Sequence, residues 1–303
     1  MSELLAAQTV TGSDPVDAPA LRARGVWQTL RRRPLFWLST AALAILTIVA
    51  LIPGPIAALA GNPDPRACKL STARQPPSAA HLFGTDAQGC DLLANVLFGT
   101  RTSLFIGLTT TAVTLVIALV LGTVAGYSGG WADALIARLT DVFLGFPFLL
   151  AAIVVLTAIG ERTPLLLSLV LALFSWPTLA RLVRGSVRTV RESEYVQAAT
   201  AMGLRHGRVV MTHVLPNALG PVLAIATTMV GSVIVAESTL TFLGVGLVMP
   251  SLSWGLQLST AQTYFQTAPH MLAFPAAFLT VTVVALIMLG DILRDALDPK
   301  GRS

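Results

Sequence analysis

The chain has 303 residues, of which 54% are hydrophobic and only 12% are charged, and its mean hydropathy is +0.74. Soluble domains carry about 25% charged residues, so this composition excludes a soluble globular protein and predicts that lipid surrounds much of the chain. The net charge of +5 does not indicate nucleic-acid binding, because the basic residues flank apolar segments and no aromatic-basic stacking surface accompanies them.

Six apolar segments are long enough to cross a bilayer, which takes about 20 residues of helix. They lie at residues 35–52, 104–125, 135–159, 165–183, 219–240 and 271–293. Glycine and proline inside several of them are tolerated in membrane helices, where neighbouring helices satisfy the freed backbone groups. The sequence therefore predicts an all-α polytopic membrane protein with about six transmembrane helices.

The distribution of basic residues predicts the orientation of these spans. Fifteen of the 20 Lys and Arg residues fall in segments that alternate onto the same side as the N-terminus. Because cytoplasmic loops are enriched in Lys and Arg, we expect both termini to be cytoplasmic. The predicted organisation is a cytoplasmic tail at 1–34, a first transmembrane helix at 35–60, an extracytoplasmic segment at 61–100, a five-helix core at 101–293 and a cytoplasmic tail at 294–303.

The first apolar segment has two interpretations. Ala58-Leu59-Ala60 resembles a signal-peptidase site, which would make the segment a cleaved signal peptide. However, more than 30 residues precede the segment and its apolar run is long, which favours an uncleaved anchor.

The loop at 184–216 is polar and basic, yet it has a helical pattern. Residues 195–202 are good helix formers and are followed by Gly203, the usual residue at a left-handed helix end. A short amphipathic segment at 209–211 then leads to Leu215-Pro216, where we expect proline to break the helix before the next span. Two short helices bent at a glycine could form a docking surface or an ordinary interfacial helix, and composition alone favours the interfacial helix.

The spacing within this loop resembles the EAA loop of ABC importer permeases. That loop reads Glu-Ala-Ala, three residues, Gly, nine residues and Ile-x-Leu-Pro, and the present chain matches this spacing with Gln in the Glu position and His in the Ile position. The resemblance implies that the loop couples the permease to an ATPase subunit. The candidate coupling residues are Tyr195, Gln197, Ala198, Ala199, Gly203, Leu204, His213, Leu215 and Pro216.

Further segments resemble the dipeptide/oligopeptide and nickel branch of the binding-protein-dependent transport system inner-membrane component family, specifically its "C"-type subunits. They lie at residues 81–91, 141–148, 236–246, 253–255 and 290–299. The resemblance implies a type I ABC importer permease fold in the inner membrane and uptake of di- or oligopeptides. Nickel-chelate or glutathione uptake remains an alternative within the same branch.

The resemblance also implies which molecules assemble with the chain. We expect a second permease subunit, one or two ABC ATPase subunits, an extracytoplasmic substrate-binding protein and membrane lipid. ATP and Mg would lie on the ATPase subunits, because the sequence lacks the G-x-x-x-x-G-K-[ST] motif that binds phosphate. We therefore expect no enzymatic activity, no cofactor and no metal site in this chain.

A secondary transporter coupled to ions is the competing class, but such proteins often carry ionisable residues at the membrane midplane, and these spans are nearly free of charge.

A few residues outside the loop are also candidates. Glu237 lies at the outer end of an apolar span, where a carboxylate is unfavourable, and we expect a gating or structural role. Arg138 and Asp141 are spaced to pair on one helix face. Cys68 and Cys90 share the predicted extracytoplasmic segment, where a disulfide and two free thiols are both open interpretations.

Close helix packing is indicated by one further pattern. Gly122 and Gly126 are four residues apart in the second predicted span. Small residues at this spacing form a flat helix face against which another helix backbone can lie.

Overall fold

The computed structural model describes residues 27–28 and 30–297, so most of the predicted N-terminal tail and the end of the C-terminal tail lie outside the described residues. The described chain is helical. Its α-helices are α1 (Pro34–Leu51), α2 (Pro53–Leu59), α3 (Leu92–Ser128), α4 (Gly130–Leu144), α5 (Phe148–Ile159), α6 (Pro164–Arg191), α7 (Glu194–Ala201), α8 (His206–Val209), α9 (Leu215–Phe242), α10 (Trp254–Ala261) and α11 (His270–Leu297).

Five helical segments are long and apolar enough to cross a membrane: α1, α3, α6, α9 together with α8, and α11. Helices α4 and α5 would form a sixth span if counted together. The prediction of an all-α polytopic membrane protein is confirmed. Many large apolar side chains on these helices are exposed, among them Leu108, Val116 and Leu169, as expected of helix faces that contact lipid or another subunit.

Helix α3 begins at Leu92, well before the predicted start of the second span at residue 104. Asp91 caps it, because its carboxylate accepts a hydrogen bond of 2.9 Å from the backbone N–H of Ala94. The first turns contain polar residues such as Asn95 and Ser103, which are buried against protein rather than exposed to water. Hydropathy does not recognise such turns, and residues 92–100 of the predicted extracytoplasmic segment 61–100 belong to α3.

The predicted continuous span at 135–159 is broken. Helices α4 and α5 meet at an angle of 81° around Gly145-Phe146-Pro147. Pro147 precedes α5 and has an extended conformation with ψ of 117°, and proline also restricts the residue before it to extended conformations. The helix therefore ends and restarts in a new direction.

Helices α3 and α6 pack closely at the two glycines that the sequence indicated. A Cβ atom built on Gly122 would lie 2.7 Å from the carbonyl oxygen of Ala180, and one built on Gly126 would lie 2.7 Å from that of Arg184. No side chain fits in these gaps. The predicted small-residue face is confirmed, and it joins the two helices that form the centre of the bundle.

Helix α9 is not separated from the preceding loop by Pro216, in contrast to the predicted break. A π-helical turn at Val210–Val214 connects α8 to α9, and the three elements form one continuous helical segment from His206 to Phe242. Pro216 occupies the first turn of α9, where a missing N–H is tolerated because the hydrogen-bond pattern is changing there. The side-chain amide of Asn217 also donates to the carbonyl of His213 at 2.7 Å.

The bundle has two ends that are described separately below. The loop end contains Gly129, Gly130 and residues 192–214. The disulfide end contains residues 61–91 and 243–269. Helix α11 extends to Leu297, beyond the predicted start of the C-terminal tail at 294, and Asp295 forms an ion pair of 2.8 Å with Arg33 before α1.

Candidate functional site

A groove lies at the loop end, and Gln197 is the candidate coupling residue that lines it. The groove has a volume of about 1310 Å³ and is formed by the last turns of α3 and α6, the start of α4, and helices α7 and α8. Its lining includes Tyr127, Asp133, Arg184, Arg188, Arg191, Gln197, His206 and Met211. It is open on one side, so a segment of another protein can enter it.

Helix α7 ends in a turn that depends on Gly203. This glycine has φ of +81°, in the left-handed region, and its N–H donates to the carbonyl of Thr200 at 3.0 Å. The N–H of Leu204 reaches back to the carbonyl of Ala199 at 3.3 Å, which completes a Schellman motif. The turn directs the chain sharply from α7 into α8, as the sequence predicted.

The two faces of α7 have different environments. Val196 and Ala199 are buried. Val196 belongs to an apolar cluster with residues of α6, α8 and the π turn, and Leu204 packs against the same cluster. Tyr195, Gln197 and Ala198 are exposed. The helix is therefore attached to the bundle by one face and presents the other to solvent or to a partner.

Gln197, which replaces the glutamate of the motif, hydrogen-bonds to its own chain. Its side-chain Nε2 donates to the carbonyl oxygen of Glu192 at 3.1 Å, just after the end of α6. A glutamate could not donate this bond and would place a negative charge beside the negative end of the α6 dipole. The glutamine therefore connects α6 to α7 in a way that the motif's usual residue could not.

The second part of the motif lies in the π turn and the start of α9. His213 is partly buried and its Nδ1 atom lies 2.6 Å from the hydroxyl of Thr212. Leu215 is partly buried and Pro216 is exposed. This segment continues directly into α9.

Ion pairs and aromatic contacts hold the walls of the groove in place. Arg184 of α6 binds Asp133 of α4 through two hydrogen bonds, one of which, from Nη2 to Oδ2, is 2.7 Å long. The guanidinium of Arg191 lies 5.6 Å from the ring centre of Tyr127, and the Tyr127 hydroxyl is 3.1 Å from Nδ1 of His206. These contacts join α3, α6 and α8 around the groove.

The sequence matches the family described as the binding-protein-dependent transport system inner membrane component over residues 118–303. The chain belongs to this family. It is a permease subunit of an ABC importer, and such importers operate with a partner permease, ATPase subunits and a substrate-binding protein.

Named relatives are transport permeases. The dipeptide transport system permease protein of Alkalihalophilus pseudofirmus is 40% identical over 229 residues, covering 76% of this chain and 75% of the relative. The oligopeptide transport system permease protein of Haemophilus influenzae is 34% identical over 297 residues, covering 96% and 94%. The glutathione transport system permease protein of Pectobacterium atrosepticum is 38% identical over 227 residues, covering 75% of each chain.

A solved structure has the same fold. The permease resembles a chain of the inward-facing MetNI methionine ABC transporter with a TM-score of 0.54 and 18% sequence identity, covering 67% of the permease and 96% of that chain. The expected ABC importer permease fold is confirmed.

The expected pairing of Arg138 with Asp141 is wrong. Asp141 of α4 binds Arg181 of α6 instead, and no ion pair among the described residues includes Arg138. Arg181 lies on the helix that packs beside α4, whereas Arg138 is exposed. Residues three apart on a helix can meet, but a partner on the neighbouring helix was available to Asp141.

Glu237 of the permease is buried completely, with 0% of its surface exposed, near the disulfide end of α9. Its carboxylate accepts hydrogen bonds from three hydroxyl groups, those of Ser253 at 2.9 Å, Thr241 at 3.0 Å and Ser238 at 3.2 Å. Ser253 also caps α10 by accepting from the N–H of Leu256. The carboxylate thus connects α9 to α10.

At the disulfide end, Cys68 and Cys90 are joined by a disulfide bond. Nearby, the carboxylate of Asp91 lies 2.8 Å from Nδ1 of His81 and accepts a hydrogen bond of 2.9 Å from the side-chain amide of Asn62. These contacts attach the segment before α3 to the start of that helix.

Sequence reasoning did not predict several contacts that the structure shows. Tyr127 and His206 meet in the groove, and Asp86, Asn95 and Gln257 meet in a cavity at the disulfide end. A polar residue in an apolar segment, as Asn95 is, was the available signal. Its partners are far away in sequence and could not be identified without the fold.

Proposed function

We propose that this permease is the C-type subunit of an ABC importer for di- or oligopeptides, and that it forms the pathway together with a second, different permease. The observation that carries the proposal is the similarity to an oligopeptide permease along 96% of the chain, together with that to a dipeptide permease. The segments at 81–91 and 236–246, which resemble the peptide branch, lie at the disulfide end, where cargo would arrive.

The groove at the loop end is the proposed docking site for the ATPase subunit, which would hold ATP and Mg. The exposed face of α7 and the exposed Met202 and Met211 present side chains that a partner groove can cover. Methionine is common on surfaces that dock partners, because its side chain adapts to them. Closure of the ATPases would move α7, and α8 and the π turn would transmit this motion into α9.

The proposed orientation places the loop end and both termini in the cytoplasm. Arg184, Arg188 and Arg191 line the groove at that end, in agreement with the enrichment of basic residues on the cytoplasmic side. The disulfide lies at the opposite end, and an oxidising compartment outside the cytoplasm favours it.

Glutathione is the second candidate substrate, because the glutathione permease of P. atrosepticum is 38% identical to this chain. Glutathione is itself a small peptide, so the same pathway chemistry would serve. Nickel-chelate uptake rests only on the sequence resemblance. The family match does not support an ion-coupled secondary transporter.

The test begins with recovery of the tagged permease from its own membrane in mild detergent, with partners identified by mass spectrometry. A second permease, a P-loop ATPase and a substrate-binding protein are expected. The recovered complex is then placed in vesicles, and ATP-dependent uptake of labelled trialanine and glutathione is compared. Recovery of the chain without an ATPase would contradict the importer assignment, and uptake of glutathione alone would select the second candidate.

A further inference from the structure

A second cavity, of about 530 Å³, lies at the disulfide end between the segment before α3 and helix α10. It is smaller than the groove at the loop end and shares no lining residue with it. Cavities of this size bind small molecules in many proteins. Its walls combine apolar side chains with a few polar ones: Leu92, Leu252, Leu256 and Met271, together with Arg66, Asp86, Asn95 and Gln257.

Two side-chain oxygens of residues that line this cavity are buried and have no hydrogen-bond donor among the described residues. They are Oδ1 of Asn95 and Oε1 of Gln257. Asn95 is only 4% exposed. The amide nitrogens of both are occupied: that of Asn95 donates to Asp86 Oδ2 at 3.2 Å, and that of Gln257 donates to the carbonyl of Asn95 at 2.7 Å. These bonds orient both amides, so the free atoms are acceptors.

Asp86 adds a carboxylate to the same cavity. Its Oδ1 accepts hydrogen bonds from the backbone N–H groups of Gln88 and Cys90, at 2.8 Å and 2.9 Å. None of the ion pairs among the described residues includes Asp86. Burial raises the pKa of Asp86, although its hydrogen bonds act in the opposite direction. A bound cation would offset the unfavourable burial of this carboxylate.

The three acceptors match one chemical group better than others. A primary ammonium has three N–H donors and no acceptor, so its donors match in number the Asp86 carboxylate and the two amide oxygens. A calcium ion needs six to eight oxygen ligands, which a cavity with mostly aliphatic walls does not supply. The aliphatic side chains instead suit the organic body attached to an ammonium group.

We propose that this cavity is a substrate subsite, in which Asp86, Asn95 and Gln257 bind the terminal ammonium of a peptide. The inference rests on the proposed function of peptide uptake. Arg66 lies at the same cavity, where its guanidinium donates to the carbonyl of Pro250 at 3.2 Å. Its other N–H groups are suited to peptide carbonyl or carboxylate oxygens.

The test measures binding of trialanine to the complete permease–ATPase complex in lipid nanodiscs, by calorimetry and without the substrate-binding protein. Gln257→Met removes one acceptor at similar volume and should weaken trialanine binding about tenfold, because a hydrogen bond to a charged group is lost. Wild type should bind N-acetyl-trialanine, which has no ammonium, about tenfold more weakly than trialanine. Gln262→Met is the matched control, at an exposed residue outside the cavity. This variant should bind trialanine with the affinity of wild type.

A second variant separates the site from a folding defect. Gln257→Glu also loses the bond to the Asn95 carbonyl, but it adds a negative charge and should strengthen trialanine binding. Equal affinity of wild type for the two peptides, or an unchanged affinity in Gln257→Met, would overturn the inference. Binding of Ca²⁺ that Gln257→Met abolishes, with no effect on trialanine, would assign the cavity to a metal ion and overturn it as well.

The uptake assay in vesicles keeps the two proposals distinct. If wild type imports trialanine but its nanodisc complex binds trialanine and N-acetyl-trialanine with equal affinity, the subsite proposal is contradicted and the proposed function stands. If wild type imports no peptide at all, the proposed function itself fails.

Discussion

Glu237 shows how a single side chain can organise one end of this permease. Its carboxylate has no water contact, yet three hydroxyl donors surround it and one of them begins α10. A buried carboxylate is acceptable only when its oxygens are hydrogen-bonded. This arrangement indicates that the residue fixes α10 against α9, which is the structural role among those expected from the sequence.

Replacement of Glu237 tests that role. Glu237→Leu leaves the hydroxyls of Ser238, Thr241 and Ser253 without their acceptor and should destabilise the protein by about 3 kcal/mol or more. Glu237→Gln retains one acceptor oxygen and should have a smaller effect. Thermal unfolding of the purified complex measures both, with Ser232→Ala, an exposed hydroxyl on the same helix, as control. If Glu237→Leu unfolds at the wild-type temperature, the carboxylate does not hold α10.

At the scale of the element, the coupling loop depends on one backbone conformation. Gly203 has a positive φ, and a Cβ atom built on it would meet nothing within 4 Å. Gly185, on an exposed face of α6, has equally open surroundings without a positive φ and does not line the groove. A comparison of the two glycines therefore isolates backbone strain, because an added Cβ atom meets no steric conflict at either position.

Gly203→Ala should destabilise the turn by about 1–2 kcal/mol, because a residue with a Cβ atom is unfavourable in the left-handed region. We expect fewer peptides imported per ATP hydrolysed, with ATPase activity retained. Gly185→Ala should leave this ratio unchanged. The ratio is measured in vesicles that contain the complete importer, and equal ratios for the two variants would contradict a coupling role for the turn.

The contact between α3 and α6 yields a second prediction for an element. Gly122→Ala places a Cβ atom 2.7 Å from the backbone oxygen of Ala180, so the helices must separate, at a cost of about 1–3 kcal/mol. Gly185→Ala, on an exposed face of α6 with open space around it, should be neutral or slightly stabilising. Unfolding of the two variants in denaturant compares them, and equal stability would show that the helix contact adjusts freely.

For the whole molecule, the disulfide provides a test of the proposed orientation. Cys90→Ser leaves Cys68 as the only thiol in the chain, and Cys68 is exposed at the disulfide end. A maleimide that does not cross membranes should label this variant in intact cells and should not label wild type. Labelling only after the cells are permeabilised would place the disulfide end in the cytoplasm and contradict the proposed orientation.

Most of the fold could be predicted from the sequence, because long apolar segments and glycine spacing are local properties. The spans, the turn at Gly203 and the close packing at Gly122 and Gly126 all follow from residues that are near one another in the chain. The helix limits were less accurate. Buried polar turns at the start of α3 and the reorientation at Pro147 depend on which neighbour each residue contacts.

The sequence by itself determined the membrane class and the family and located the candidate coupling loop, because these depend on composition and on motif spacing. Only the tertiary structure decided that Asp141 pairs with Arg181 and that Gln197 bonds to the end of α6. Only it brought Asp86, Asn95 and Gln257 to one cavity. The physical reason is that polar groups away from water take whichever partners the packing of helices places within hydrogen-bond distance, and that packing is not encoded in local spacing.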